Sequence, residues 1–464
     1  MDYDVLILGS GPGGYVAAIR AAQHGLKVAC IEKDPKLGGT CLLVGCIPTK
    51  AYLHYADLYE NFKHSADFGI DHGALTVNMA KMRGEKQKIV DKHSGGIGML
   101  FKKNKVESIT GYGRLLGGGK VEVEGPKGKS VVQAKAIILA TGSRARMLPD
   151  LEPDAERILT NVEILEIESI PKSLAVIGGG AVGMEFASVF NSFGTKCTVF
   201  EMLPRVLPPE DEDVSKEIKK AFEKRGIDIH VDTKVESIKK NAKSVALEFK
   251  GKDGKLQKMT VERLLVAVGR APNTEDIGLK NTKIVPDRGF IKVDEYMRTS
   301  EPGVYAIGDI VAGTPQLAHT ASMEGIVAAG HIAGKPVEPI NYTMNPNATY
   351  CEPQVASVGL TEKQAKEKGY KVKVGKFPFA GNSKASILGA HGGFIKVVTD
   401  ETYGEILGVH MIGPLVTEII AEAVVAMKSE ATVETMVNTI HAHPTLPEAM
   451  QDAFNAVSGM QING

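Results

Sequence analysis

The chain has 464 residues, 43% of them hydrophobic and 24% charged, the balance of a globular protein with room for about three domains. Lys and Arg number 55, as do Asp and Glu, for a net charge of zero, which argues against nucleic acid or an anionic membrane surface as the main partner. No apolar run approaches the roughly 18 residues of a membrane span, and five cysteines are too few for a disulfide scaffold, so a reducing compartment is expected.

The first predicted element is a strand, DYDVLILG, with no basic or Arg-rich leader ahead of it; a bacterial cytoplasm is expected in preference to a mitochondrial matrix. The strand opens a pattern that occurs twice. DVLILGSGPGGYVAAIRAAQHGLKVACIEKD from Asp4 matches SLAVIGGGAVGMEFASVFNSFGTKCTVFEML from Ser173 at a constant offset. Gly9, Gly11 and Gly14 align with Gly178, Gly180 and Gly183, and Glu32 aligns with Glu201. Each copy reads as strand, glycine turn, small-residue helix, second strand and terminal acid, the dinucleotide-binding βαβ unit. The first glycine allows the tight turn, the second admits a pyrophosphate and the third lets helix and strand close up. The helix N-terminus offers N–H groups to the phosphates. An acid at the strand end accepts from ribose hydroxyls and repels a 2′-phosphate, so Glu201 points to NAD rather than NADP. Two sites in one chain suggest a bound flavin and an exchangeable nicotinamide.

The first copy runs into GGTCLLVGCIPTK, residues 38–50, with Cys41 and Cys46 five positions apart. A metal lacks a second ligand pair here, and a structural staple does not suit a reducing compartment. A carrier that exchanges electrons with a dithiol belongs beside it, which assigns FAD to the first copy and NAD to the second. AYLHYADLYENF, just beyond, reads as helix. On a regular helix residues five apart have Cα atoms about 8.7 Å apart, from a rise of about 1.5 Å and a radius of about 2.3 Å. A disulfide needs less than about 7 Å. The pair can therefore bridge only if the helix is broken between them; Gly45 permits a break, and Pro48 removes a helical N–H just beyond. Cys30, Cys197 and Cys351 read as core residues.

Further along, AIILATGS, residues 136–143, ends a strand at Thr141-Gly142, and LLVAVGRAPNT, residues 264–274, has the same form after the second copy. Both read as crossings out of a nucleotide domain. In TSEPGVYAIGDI, Asp309 stands at a strand end where it can accept from flavin ribityl hydroxyls. After the Pro-rich GKPVEPINY, strand-like runs (QVASVGL, GGFIKVVTD, EILGVHMIG) precede an amphipathic helix, TEIIAEAVVAMKSEA, and a last helix from Pro447. IHAHPTLPEAM lies between those helices. There His443 precedes Pro444, which presents its ring from a loop, and Glu448 can orient the ring, a base-plus-orienter pair of the kind thiol chemistry needs.

GGTCLLVGCIPTK, the double nucleotide motif, ATGS, the GD strand end and HAHPTLPE together, in this order along essentially the whole chain, resemble the pyridine nucleotide-disulfide oxidoreductases. The likeness is to the members that oxidise dihydrolipoamide for 2-oxo acid dehydrogenase and glycine cleavage systems. Leu43 stands where the family usually has Asn, Thr49 where it often has Ser, and Pro447 at a variable position. The resemblance implies an α/β fold: two Rossmann-like domains, for FAD and NAD, and a C-terminal α+β dimerisation domain. The expected bounds are 1–145 and 271–337 for the flavin and central parts, 146–270 for NAD and 338–464 for the interface. It implies a homodimer, a Cys41–Cys46 redox disulfide, and a lipoyl-bearing E2 or H-protein as partner. Cys41 would meet dihydrolipoamide and Cys46 the flavin, with His443 supplied by the partner subunit and oriented by Glu448. Lys50 would lie near flavin N5 and pair with Glu185. Glu32, Gly39, Thr40, Gly113, Thr141, Gly142, Ser143, Asp309 and Ala318 would surround FAD. Gly178, Gly180, Gly183, Glu201, Val235, Gly269 and Arg270 would surround NAD. The alternative is a glutathione-type or mercuric-type reductase using NADPH. Arginines after the second acid would favour the former and extra C-terminal cysteines the latter; here Glu201 holds the acid position with Arg205 nearby, and the C-terminal AVSGMQING has no cysteine.

Overall fold

A computed structural model describes residues 1–252 and 254–463. The chain forms two compact units, both discontinuous in sequence.

The first unit comprises Met1–Ala51, Ala80–Arg146 and Gly269–Tyr342. Strand β1 (Tyr3–Leu8) lies between β2 (Val28–Glu32) and Gly128–Leu139, parallel to both, and Val304–Ala306 and Glu107–Thr110 extend the sheet. Val5 to Leu8 are buried because both faces of the sheet are covered, Val5 and Ile7 by helices and Leu6 and Leu8 by Leu115, Val121 and Val123 of an antiparallel strand pair, which is why DVLILG reads as continuous apolar rather than alternating. Helix α1 (Pro12–Gln23) packs against helix Ala318–Ile332 almost backbone to backbone. A Cβ on Gly325 would lie 2.7 Å from the Gly13 carbonyl. Residues Ser143–Ala145 and Arg270–Pro272, the two expected crossings, pair with each other as an antiparallel ribbon.

The second unit comprises Tyr52–Met79, Met147–Val268 and Thr343–Gly464. It repeats the parallel core in the order Asp228–His230, Lys196–Phe200, Ser173–Ile177, Arg263–Val266, Ile158–Leu159. A three-stranded antiparallel sheet, Lys234–Lys240, Val245–Lys250 and Leu256–Val261, lies over it through Val235, Leu247 and Phe249. The C-terminal region is a five-stranded antiparallel sheet whose inner strands, Phe394–Asp400 and Ile406–Gly413, are buried on both faces. Helices Val416–Lys428 and Glu448–Ala456 pack against it through Ile420, Ala423, Met450 and Phe454, each worth about 1–3 kcal/mol of burial for the larger side chains.

Candidate active site and nucleotide cradles

The helix that sequence geometry requires to be broken is broken. Helix α2 (Gly39–Val44) stops at Gly45, and α3 (Cys46–Lys63) starts immediately after it. A Cβ on Gly45 would lie 2.8 Å from the Thr40 carbonyl, so the close turn admits only glycine. Cys41 thus ends up in one helix and Cys46 at the N-terminus of the next. The pair, expected as a bridge, carries two free thiols here, joined by a side-chain hydrogen bond. That bond, reinforced by burial, holds the Cys41 thiol well above its ordinary range, with Lys50 pulling the other way. Cys46 stands at the N-terminus of α3, a position that favours a thiolate.

The two glycine turns share one design. Gly9 and Gly178 adopt φ of +103° and +110°. A Cβ on Gly14 would lie 1.9 Å from the Gly9 carbonyl, and one on Gly183 would lie 2.0 Å from the Gly178 carbonyl. Gly11 and Gly180 differ: a Cβ on either meets nothing within 4 Å, and each caps its helix without a side-chain hydrogen bond. The middle glycines thus border open space in front of unpaired helix N–H groups, the fit a pyrophosphate requires. The helix from Ala318 also begins without a side-chain cap.

Both strand-end acids are buried and cradled by amides. Glu32 accepts from Ser10 N at 2.8 Å, Ser10 Oγ at 2.6 Å and Asp34 N at 2.9 Å. Glu201 accepts from Gly179 N at 2.7 Å and Leu203 N at 2.8 Å. Ser10 Oγ also accepts from Gly38 N at 3.1 Å, and a Cβ on Gly39 would meet Gly11; so the first nucleotide turn and the cysteine helix are fastened together.

Thr40 Oγ1 donates to the Ser143 carbonyl at 3.3 Å, and Ser143 Oγ donates to Asp309. Arg270, expected at the nicotinamide site, lies in this group: Nε donates to Ser143 Oγ at 2.6 Å and Nη2 to the Ser143 carbonyl at 2.7 Å. Burial lowers the Arg270 pKa, against the opposing pull of Asp309 and Cys46. Thr141 is held by Asn273, Oγ1 donating to its carbonyl at 2.7 Å; the Asn273 amide N–H donates to the Gly142 carbonyl at 2.9 Å. The Gly269 carbonyl accepts from Arg146 N at 3.0 Å, and Gly113 lies in a strand against Leu8. In the second unit Val235 joins the core, and Glu185, buried on helix Ala181–Ser192, accepts from Tyr350 N at 3.0 Å.

His443 Nδ1 lies 2.8 Å from Glu448 Oε1, the other carboxylate oxygen accepting from Thr445 N at 2.7 Å. Burial acts against the Glu448 charge, but the Thr445 amide and the His443 ring together hold its carboxyl below the usual range. An ionised orienter fixes one ring nitrogen as N–H and leaves the other as the basic one.

Sequence reasoning passed over Ser10, and also Glu324, which accepts from Gly308 N at 2.5 Å and Tyr342 OH at 2.9 Å beside the Asp309 turn. A lone acid inside the small-residue run ASMEGIVAAG was the signal for the latter.

Residues 3–325 match the family described as pyridine nucleotide-disulphide oxidoreductase, and residues 345–454 match its dimerisation domain. The chain belongs to the pyridine nucleotide-disulphide oxidoreductases. Among members of this family, the dihydrolipoyl dehydrogenase of Bacillus subtilis is 46% identical across all of this chain and 99% of its own length. The Rhizobium etli enzyme of the same name is 44% identical over 100% and 99%. The crystal structure of LpdA from Mycobacterium tuberculosis superposes with a TM-score of 0.91 at 27% identity, over 97% of this chain and 99% of that one. The flavoprotein disulfide reductase RclA of Escherichia coli gives 0.87 at 25%, over 98% and 99%.

Proposed function

We propose that this oxidoreductase converts protein-bound dihydrolipoamide to lipoamide and reduces NAD+, with FAD bound at the first glycine turn. The observation that carries the reading is the thiol pair on a broken helix fastened to that turn. Full-length likeness to dihydrolipoyl dehydrogenases supports the substrate, and Glu201 supports NAD over NADP.

In the working cycle His443 takes a proton from one dihydrolipoyl thiol while Glu448 stabilises the charged ring. The substrate thiolate attacks Cys41 of the Cys41–Cys46 disulfide, the S–S bond breaks, and Cys46 leaves as thiolate. The second lipoyl thiol attacks the mixed disulfide and closes the lipoyl ring, its proton passing to Cys41 as that sulfur leaves. The electron pair then rests on the cysteines, with Cys46 as the ionised sulfur and Lys50 close by. Bound there, FAD supplies the two-electron carrier between the dithiol and NAD+. Ser143, Asp309, Thr40 and the N-terminus of the Ala318 helix would hold it.

The dimerisation domain supports a homodimer, as does Ile440, 95% exposed immediately before the histidine loop. We place His443 at the partner subunit's cysteines, a lipoyl-bearing E2 or H-protein as carrier, and the enzyme in the cytoplasm, as its bacterial relatives suggest. The deciding assay compares dihydrolipoamide with NAD+ against glutathione disulfide with NADPH. The first pair turns over at least about a hundredfold faster; the reverse order overturns the reading.

A further inference from the structure

Two residues before His443 the same loop holds a second histidine–carboxylate pair that the cycle above does not use. His441 Nε2 lies 2.8 Å from Glu422 Oε1 on helix Val416–Lys428, and Nδ1 lies 3.1 Å from the Thr439 carbonyl. The His441 side chain is 7% exposed and that of His443 is 70% exposed. One ring is locked in and the other presented. Both ring nitrogens thus face an acceptor, and the ring is held against the helix largely out of water.

The loop's other ties gather at its two ends. Residues 438–447 contain no helix or strand. Gln451 Nε2 donates to the Val437 and Thr439 carbonyls at 3.0 and 2.9 Å, and Asn382 Nδ2 donates to the Thr445 carbonyl at 3.0 Å. Thr439 Oγ1 donates to the Thr435 carbonyl at 2.8 Å, and His443 and Thr445 meet Glu448 at the start of the last helix; between these two ends His441 makes the tie to helix Val416–Lys428.

We propose that the Glu422–His441 pair is a positioning device for the base: it pegs the loop to helix Val416–Lys428 and so fixes where the His443 ring stands. The inference rests on the reading of His443 as the base. A base displaced by about 1 Å loses one to two orders of magnitude in rate, so the peg has leverage although it touches no substrate.

The test uses full-length holoenzyme carrying His441→Ala, Glu422→Ala, both together, Glu422→Gln or His443→Gln. Stopped-flow absorbance follows enzyme reduction by dihydrolipoamide and, separately, by NADH. Each single alanine variant slows the dihydrolipoamide half-reaction about tenfold, with the NADH half-reaction within about twofold of wild type. The double variant is no slower than the slower single, since both remove one contact. Glu422→Gln, which keeps an acceptor, is faster than Glu422→Ala. Equal slowing of both half-reactions, no slowing, or additive losses in the double variant overturns the proposal. If His443→Gln keeps the full dihydrolipoamide rate, the base assignment fails and the positioning role falls with it. If His443→Gln is slow and His441→Ala is not, only the positioning role fails.

Discussion

At the scale of single residues, the chemistry depends on atoms that cannot be added. Gly45→Ala puts a Cβ 2.8 Å from the Thr40 carbonyl, backbone that cannot swing aside. The expected cost is about 1–3 kcal/mol of stability, with Cys46 displaced from Cys41. Chemical denaturation reads the first effect. Slower enzyme reduction by dihydrolipoamide reads the second, and a variant indistinguishable from wild type in both would show that the turn is not fixed by this approach. Glu324 makes a pH prediction. Burial raises its carboxyl to about 7, outweighing the Gly308 amide and Tyr342 hydroxyl that favour its charge. A carboxyl raised on folding binds its proton more tightly in the native state. It therefore costs nothing below its unfolded value of about 4.3 and progressively destabilises the fold as pH rises through about 7. Glu324→Gln should flatten that slope. Denaturation midpoints between pH 5 and 8 should fall more steeply for wild type than for the variant, and parallel curves would refute the assignment.

At the scale of elements, the parts legible in the sequence were those with a local period. The double βαβ unit, the broken cysteine helix and the loop holding His443 and Glu448 each depend on residues close in sequence, so spacing alone exposes them. Pairings across long separations have no such signature. The resemblance implies Arg270 at the NAD site, and no local spacing shows that its guanidinium also lies on Ser143, 127 positions away. Lys396 lies in the strand-like run GGFIKVVTD, where nothing local announces its partners. Its side chain is 4% exposed and its ammonium lies 2.9 Å from Asp211, 3.1 Å from Asp213 and 2.8 Å from Glu362. The cluster joins an inner strand of the C-terminal sheet to the start of helix Glu212–Lys224, whose N-cap is Asp211. Removing the cation leaves three acids facing one another, the first of them buried. Lys396→Met should therefore cost about 3 kcal/mol, despite its good apolar fit. Urea unfolding of the full chain measures it; an unchanged or higher midpoint would mean that the cluster is dispensable.

At the scale of the whole molecule, the question is which copy of the chain supplies the base. The histidine loop stands out from the fold: His443 is exposed, and Ile440 beside it is almost entirely so, as are Val425 and Leu415 in part on the neighbouring helix and its approach. Apolar side chains in such a setting call for a covering surface, and the match to a dimerisation domain over residues 345–454 makes a second copy the natural one. In a two-fold dimer a residue lent by one chain is returned by the other. That symmetry makes the trans assignment testable without a structure of the complex. Cys46→Ser and His443→Gln each disable every site of their own homodimer. In a mixed dimer with the base in cis, both sites are still dead, one for want of a thiol and the other for want of a base. With the base in trans, both defects fall on one site and the other is whole. Random reassociation of equal amounts gives half mixed dimers, each with one good site, so about a quarter of wild-type dihydrolipoamide turnover should reappear. The same mixture held below the exchange temperature serves as the blank. No recovery after exchange confirmed by mass-tagged subunits would put the base on the same chain as the cysteines, and Ile440 would then need a different partner to explain its exposure.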